Sequence, residues 1–488
     1  MNYNEHTKKL LHFFEETAEK VAKKAKFVQR RSKITGSLFL KMLVLGSIEL
    51  AKPSLHDWVR QIFNDKKQIQ VSEQAIDQRF NEYSVEFTRQ MFQESLKEFK
   101  TQQKIDIELF ESFSSVYLLD SSQITLPESL EEFFKGSGGN RPKSSVKVQC
   151  VFELLQGNYH WIEFKNGIDP DQTYGPGIVD LLQAGSLMIS DLGYFNMQFL
   201  KPLNELNFFV CRLQSQTAIF TGKEGEVHKR LEFKKLLAKA PKIPFELDVI
   251  IGSRKADRVP CRLVCIPVSE EIANRRRQKA KEKAKAQKKN ITQEYLAMQG
   301  WSICITNVSK EVWNTLQVFQ VYRIRWAIEI LFKVWKSGLS IHQFAQAKSH
   351  RIRTELYARF IAILWFQVLI NPIYLRTWQS QGTEISFFKA IKQIKDRLSQ
   401  LKQVWLCVEK MNAFFCELEK SIRKICLKTR RKKDLTLLQI LDNNEFKNSD
   451  CFILNNPIEL LDILEKGGIY NVEDFFQKKS MFSKAWAA

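Results

Sequence analysis

Apolar positions in the first 110 residues recur every three to four places, which predicts helices throughout that stretch. Pro53–Ser54 opens SLHDWVRQIF, and Ser72 is placed to cap SEQAIDQRFNEY after the polar connection NDKKQIQ. Two such helices, the second polar and basic, can make a helix-turn-helix-like reader with Gln74, Gln78 and Arg79 facing a groove. Plain helix packing accounts for the same pattern, and both readings stay open.

From residue 114 the period changes to two. SSVYLLD (114–120) is a short apolar strand ending in Asp120. SVKVQCVFELL and YHWIEFKNG alternate on either side of Gln156–Gly157–Asn158 and predict a hairpin. TYGPGIVDLLQAG follows as a helix begun by Gly and Pro, then SLMIS as a buried strand ending at Asp191. Strand, hairpin, helix, strand predicts a mixed α/β sheet. NFFVCRL, FELDVII, CRLVCIPV and WSICITNV continue the strand signal to about 307, interrupted by NRRRQKAKEKAKAQKKN, which holds nine Lys or Arg against one Glu. Such a run is ordinarily a solvated helix or mobile loop, and a phosphate clamp is the alternative reading.

Helical spacing returns in YRIRWAIEILFKVWKSGLS (322–340). At 100° per residue Tyr322, Arg325, Glu329, Lys333 and Lys336 fall within a wedge of about 80°. Ile324, Ile328, Leu331, Phe332 and Trp335 gather on another flank of roughly 100°. The remainder is mostly helical. LYARFIAILWFQVLINPIYL (356–375) is interrupted by Arg359, Gln367 and Asn371 and predicts a buried core helix stopped by Pro372, not a membrane span.

Composition narrows the function. The 488 residues carry 75 Lys and Arg against 54 Asp and Glu, a formal charge of +21, with 44% hydrophobic content. A folded, strongly basic chain points to a polyanion, nucleic acid before membrane. Met1–Asn2–Tyr3 leads into a polar, charged segment unlike a secretion signal. The nine Cys are scattered, and Cys261 and Cys265 lack a second pair or a nearby His, so buried thiols are expected and not zinc or disulfides. A second basic cluster, RKICLKTRRKK, lies at 423–433. The Gly-rich GSGGNRPKSS (136–145) has Pro142 where a phosphate loop needs Gly before its Lys, so no nucleotide cofactor is expected.

An Asp at a strand's C-terminal end projects into the crevice above a sheet, and Asp120 and Asp191 are both placed that way. Taken singly, each can be a mere turn cap. With Glu329 they make three hard oxygen donors without paired Cys or His, a set suited to Mg²⁺ or Mn²⁺. Arg325, Lys333, Lys336 and Tyr322 would then hold phosphates.

Here the chain resembles the insertion-sequence-four family of bacterial DDE transposases. Tyr322-x2-Arg325-x3-Glu329-x6-Lys336 matches that family's Y-x2-R-x3-E-x6-K signature in full. Asp120 with Ser121, and Asp191 within SDLGYF, look like its first and second catalytic motifs. The resemblance implies a ribonuclease-H-like catalytic core interrupted by a β-strand insertion and flanked by helical N- and C-terminal domains. The expected divisions are a DNA-end-binding domain at 1–110, core at 113–206, insertion at 207–312, core again at 313–372 and a dimerisation domain at 373–488. It implies that Asp120, Asp191 and Glu329 are catalytic and bind two Mg²⁺, for which Mn²⁺ can substitute. Tyr322, Arg325 and Lys336 would grip phosphates with help from Lys333, Trp326 would contact the element's end, and Arg212 would touch DNA. Trp301, 21 residues before Tyr322, is placed like a Trp that stacks on a flipped base; a strand Trp filling the core is the other reading.

The expected function is cut-and-paste transposition. Water frees a 3′-OH at the terminal inverted repeat, a hairpin forms and reopens, and the end is joined to double-stranded target DNA. A homodimer would hold both ends, in the bacterial cytoplasm at the nucleoid, with no membrane. The rivals are a metal-dependent nuclease without strand transfer and a transposase-derived DNA-binding regulator. MNAFFCELEKSI (411–422) offers an apolar face for the dimer, or else merely covers the core.

Overall fold

The computed structural model describes residues 3–63, 69–221 and 228–428, with 437 and 440. The chain begins with α1 (Asn4–Leu11), which continues through a π-helical stretch into α2 (Ala18–Lys24). Then come α3 (Gly36–Glu49), α4 (Leu55–Phe63), α5 (Glu73–Arg79) and α6 (Glu82–Glu98). The next stretch holds β1 (Val116–Thr125), β2 (Ser145–Glu153), β3 (Asn158–Asn166), α7 (Gly175–Val179), β4 (Leu187–Ser190), α8 (Met197–Leu206) and β5 (Phe208–Arg212). It is followed by β6 (Ile219–Thr221), β7 (Lys229–Arg230), α9 (Phe233–Lys239), β8 (Phe245–Ile251), β9 (Val259–Pro267), α10 (Glu270–Ala286), α11 (Gln293–Met298) and β10 (Trp301–Thr306). Last are α12 (Thr315–Ile324), α13 (Trp326–Leu339), α14 (Ser349–Gln381), α15 (Phe387–Asp396), α16 (Leu398–Val404) and α17 (Val408–Ile425).

The strands form a mixed ten-stranded sheet in the order β3-β2-β1-β4-β5-β10-β9-β8-β6-β7. β4 pairs in parallel with both β1 and β5, and β2 with β3 is an antiparallel hairpin. A mixed α/β core is therefore present. NFFVCRL, within the stretch expected as an insertion, forms β5 of this same sheet, and β10, β9 and β8 extend the sheet from it, β10 lying antiparallel to β5. The chain divides into two compact units. Among the described residues, one comprises 3–105, 120–169 and 327–428; the other comprises 106–119 and 170–326.

In the first unit α14 is the central post. It is longer than the apolar run suggested and passes through Pro372 to Gln381, where Gly382 ends it with φ +58°. Burial on both sides of Pro372, from Arg351 to Thr377, carries it on where a lone Pro would stop an exposed helix. The polar residues that break the run have specific work. Arg359 donates to the carbonyls of Ser340, Gln343 and Ala51, and Gln367 donates to Gly157 O at 2.7 Å while Asn371 bonds Gln156 O. Those two amides grip the β2–β3 turn, whose Gly157 has φ +68° and lies so close to Asn371 that a Cβ would collide. From Ala327 onward, α13 lays Ile328, Phe332 and Trp335 inward. Trp335 Nε1 donates to Tyr159 Oη at 2.9 Å and its ring meets Phe360 edge-on.

Two details of the N-terminal helices differ from expectation. Ser72 does cap α5, accepting from Ala75 N at 3.1 Å, but the element ends at Arg79. Phe80 is extended, and Asn81 starts α6 with a reciprocal capping box through Ser84. Gln74 and Gln78 are exposed, whereas Arg79 turns inward to Phe27 O at 3.3 Å and to Ser32 Oγ. A groove-reading Arg79 is thereby corrected: its guanidinium satisfies a neighbouring loop. The α17 face expected to dimerise is likewise engaged within the unit. Tyr3 Oη donates to Glu419 at 2.8 Å, Thr7 Oγ1 donates to Asn412 at 2.6 Å, and Arg376 pairs with Glu419 at 2.8 Å.

In the second unit the core strands β4 and β5 are almost wholly buried, as a parallel sheet covered on both faces requires. α12 is fixed at its start by an Asn314–Gln317 capping box. Thr315 Oγ1 also donates to the buried Glu246 at 3.0 Å, and Arg262 pairs with that carboxylate at 2.6 Å. One buried carboxylate thus ties β8, β9 and α12 together, and α12 carries the first residues of the signature. The expected helix from 174 onward is shorter than its sequence suggested: α7 is five residues with Pro176 in its first turn. The described cysteines are free thiols, Cys261 and Cys265 among the buried ones.

Candidate active site

β1 places Asp120, though not at its end. Val116–Leu119 are buried, and the strand runs on through Asp120 and Ser121 to Thr125. What ends there is the pairing: Leu119 opposite Ser190 is the last register with β4. The next residue of β1 is Asp120, and the next after β4 is Asp191. Asp120 Oδ1 accepts from the Ser121 amide at 2.8 Å. Its charge is also felt by Cys150 on β2, whose thiol is pushed up first by burial and then by this carboxylate.

Asp191 caps a single 3₁₀ turn, Leu192–Tyr194, with Oδ2 3.4 Å from the Gly193 amide. Its side chain is 42% exposed, and Oδ1 lies 3.7 Å from Arg325 Nε. Arg325 stands at the junction of two helices, which corrects the expectation of one unbroken helix over 322–340. Its amide bonds Tyr322 O at 3.2 Å, the tighter i to i−3 pattern, and α13 starts at the next residue. The Arg325 guanidinium carbon lies 6.0 Å from the Tyr322 ring centroid. Burial raises the Tyr322 phenol well above its usual range; Cys304 and Asp191 add to this, while Arg325 and Arg212 oppose it. Asp191, Arg325, Tyr322 and Arg212 therefore share one electrostatic neighbourhood.

α13 carries the rest of the signature. Glu329 and Lys336 are half-buried, Lys333 is exposed, and Trp326 is 52% exposed. Burial lowers the Lys336 pKa, and among the described residues no carboxylate pairs with its ammonium. Trp301, by contrast, is only 2% exposed. Its ring meets Phe245 edge-on at 5.3 Å, with the Lys242 ammonium 4.8 Å from the centroid. That packing matches the core-filling reading. A residue the sequence did not single out, Asp171, lies beside Asp191: a Cβ at Gly193 would come within 3.3 Å of Asp171 Oδ2 and 3.8 Å of Asp191 Oδ2. Its only signal was the DPDQT turn chemistry after Gly167. Among the described residues, no three His, Cys, Asp or Glu side chains are gathered into a metal-holding group. The donor chemistry of the three acids nonetheless fits a hard divalent ion, since each supplies carboxylate oxygen.

The sequence matches the transposase DDE domain family over residues 111–365. The chain belongs to the DDE transposases. Over 403 residues it is 32% identical to the transposase for insertion sequence element IS1151 of Clostridium perfringens, covering 78% of this chain and 84% of that one. It is 26% identical over 443 residues to the transposase for IS231F of Bacillus thuringiensis subsp. israelensis, covering 87% and 92%. Among solved structures it is similar to the piggyBac transposase synaptic complex with hairpin DNA, with a TM-score of 0.39 and 11% identity over 87% of this chain and 85% of that one. This DDE transposase is of insertion-sequence type, a DNA-cleaving and strand-transfer enzyme that depends on a divalent metal ion.

Proposed function

We propose that this transposase moves its element by cut-and-paste, with Asp120, Asp191 and Glu329 as the metal-binding acids and Mg²⁺ as the ion, Mn²⁺ substituting. The observation that carries the reading is the pairing of Arg325 with Asp191, because it joins the Tyr322-x2-Arg325-x3-Glu329-x6-Lys336 spacing to the second Asp motif. The same spacing supports membership of the insertion-sequence-four family. Two bound ions would supply an activated attacking oxygen and stabilise the leaving one. The chain's own cations do the holding. Arg325 lies beside Asp191 and would present its fork to a phosphate, bidentate in the way guanidinium favours. Lys336 is a half-buried cation whose charge burial disfavours, so an arriving phosphate restores what desolvation took away. Lys333 and Trp326, both exposed, are available to the element's end, and Arg212 and Tyr322 complete the phosphate grip. The substrates are the terminal inverted repeats and target DNA, handled by a homodimer in the bacterial cytoplasm at the nucleoid.

The test is incubation of the protein with a cloned element end, target DNA and Mg²⁺. Asp120→Ala, Asp191→Ala and Glu329→Ala should each lower nicking and joining by about 10³-fold or more, the scale of losing a principal charge-stabilising group. End binding should stay largely intact. Near-normal nicking by any one variant removes that acid from the site, and nicking without joining by the wild type removes the cut-and-paste reading.

A further inference from the structure

Between α2 and α3 the chain makes a loop, 25–35, that exposes a concentration of positive charge. Lys26, Arg30, Arg31 and Lys33 in the loop, with Lys23 and Lys24 at the end of α2, are all exposed, and no Asp or Glu occurs from residue 20 to residue 48. None of the six makes an ion pair among the described residues. Glu86 feels the charge of Lys24 but is already held by Arg89 at 2.6 Å and by Gln90 at 2.7 Å.

The loop is built to stay in one shape. Lys26 is left-handed, with φ +56°, a conformation that side-chain-bearing residues adopt rarely. It closes α2 by helix-ending bonds, Lys26 N to Lys23 O at 3.0 Å and Phe27 N to Ala22 O at 2.9 Å. Phe27 is a buried peg, stacked on Phe87 with centroids 5.1 Å apart and against Phe39 at 4.6 Å. Ile34 is a second buried peg, and Thr35 caps α3 through Leu38 N at 3.2 Å. Arg79 lies 5.5 Å over the Phe27 ring and bonds Phe27 O and Ser32 Oγ, mooring the end of α5 to the loop. On α5 the exposed Gln74 and Gln78 stand one turn apart on one face, and amides are the side chains that pair with adenine edges.

We infer that this loop is a phosphate grip for duplex DNA, which Arg79 positions beside the glutamine face of α5. Fixed, uncompensated cations next to polar readers are complementary to a duplex backbone beside its groove. The inference rests on the enzyme's action on DNA and not on the three acids, so it is tested without catalysis.

The experiment measures binding of the full chain to a labelled duplex of unrelated sequence, by fluorescence anisotropy in EDTA over a series of salt concentrations. Lys26→Gly/Arg30→Gln/Arg31→Gln keeps the left-handed turn open to residue 26 while removing three charges. It should flatten the slope of log affinity against log salt by about 2 to 3, with affinity falling about 10- to 100-fold at low salt. Arg30→Gln/Arg31→Gln, confined to two exposed side chains, should flatten the slope by about 2 if the triple variant fails to fold. A control, Lys410→Gln/Lys420→Gln/Lys424→Gln, removes three exposed charges from α17 of the same unit and should leave the slope unchanged. An unaltered slope in the loop variants, an equal fall in the control, or anionic lipid vesicles that compete the duplex away overturns the assignment. A loop variant that binds normally and still cuts a cloned end would remove the grip alone. Failure of the wild type to cut would instead count against the proposed function.

Discussion

His6 shows how a residue invisible to function can still set a measurable property. It sits on α1 with its ring edge-on to Phe415 at 5.2 Å, and its buried Nε2 has no hydrogen-bond partner among the described residues. Burial, and secondarily Lys9, push its pKa from 6.5 down to about 4. The folded state therefore binds fewer protons than the unfolded chain between those values, so stability is full above about pH 6.5 and falls as the pH drops toward 4. The loss amounts to at most about 3.5 kcal/mol at roughly 1.4 kcal/mol per pKa unit. Urea midpoints at pH 7 and pH 4 should converge in His6→Phe relative to the wild type; an equal acid loss in both would show that His6 does not carry it. The same scale separates what could be read in the sequence from what could not. Asp120, Asp191 and Glu329 stood out because an acid closing an apolar run and a four-position spacing are visible in one dimension, although β1 itself runs on past Asp120. Asp171 did not, because its place beside Asp191 comes from two single-turn segments meeting around Gly193. The inward turn of Arg79 depends on a loop more than 40 residues away in sequence, beyond the reach of any local pattern.

At the scale of elements, periodicity fixed type well and boundaries less so. The hairpin at 145–167 and the amphipathic α13 follow from alternation and from the apolar flank, whose Ile328 and Trp335 are buried. The break at Arg325 and the passage of α14 through Pro372 do not, since both depend on tertiary packing. α10 shows an element that the described chain buries only at its start. Its first turns are anchored by Ala273 and by Arg276 donating to Trp301 O at 3.1 Å, but no later residue of the helix is buried. Lys279 with Lys283, and Lys281 with Lys285, are like charges one turn apart, each pair costing a few tenths of a kcal/mol. A duplex phosphate backbone would turn that repulsion into attraction. Replacing the four Lys by Gln should raise the melting temperature slightly while flattening the salt dependence of DNA binding by about 3 to 4. If only the melting temperature moves, α10 is solvated surface. The other basic run, 423–433, is described only to residue 428, where Arg423 donates to Ser380 Oγ at 2.7 Å.

At the scale of the whole molecule, the order strand, hairpin, helix, strand was enough to reach a mixed sheet, because each element's period is local. That the inserted strands would prolong the same sheet was not legible: β10 pairs with β5 some 90 residues away, and no pattern within either strand names its partner. Assembly is the remaining question at this scale. Two element ends must be cut and joined, and one set of three acids serves one end at a time, so catalysis is expected in a homodimer in which each subunit cuts the end its partner recognises. The apolar face of α17 is not the contact expected earlier, since Met411, Phe415 and Leu418 are already buried within the chain and Glu419 is bonded to Tyr3. Mixed subunits test the arrangement without knowing the contact. A Glu329→Ala subunit binds an end but cannot cut it, and a subunit with intact acids and a disabled end-binding surface has the opposite defect. Neither alone should nick a cloned end in Mg²⁺, whereas the mixture should restore nicking, because the intact acids act on the end held by the other subunit. A mixture as inactive as its two components would mean that each subunit cuts the end it holds, and the exchange between partners would have to be given up.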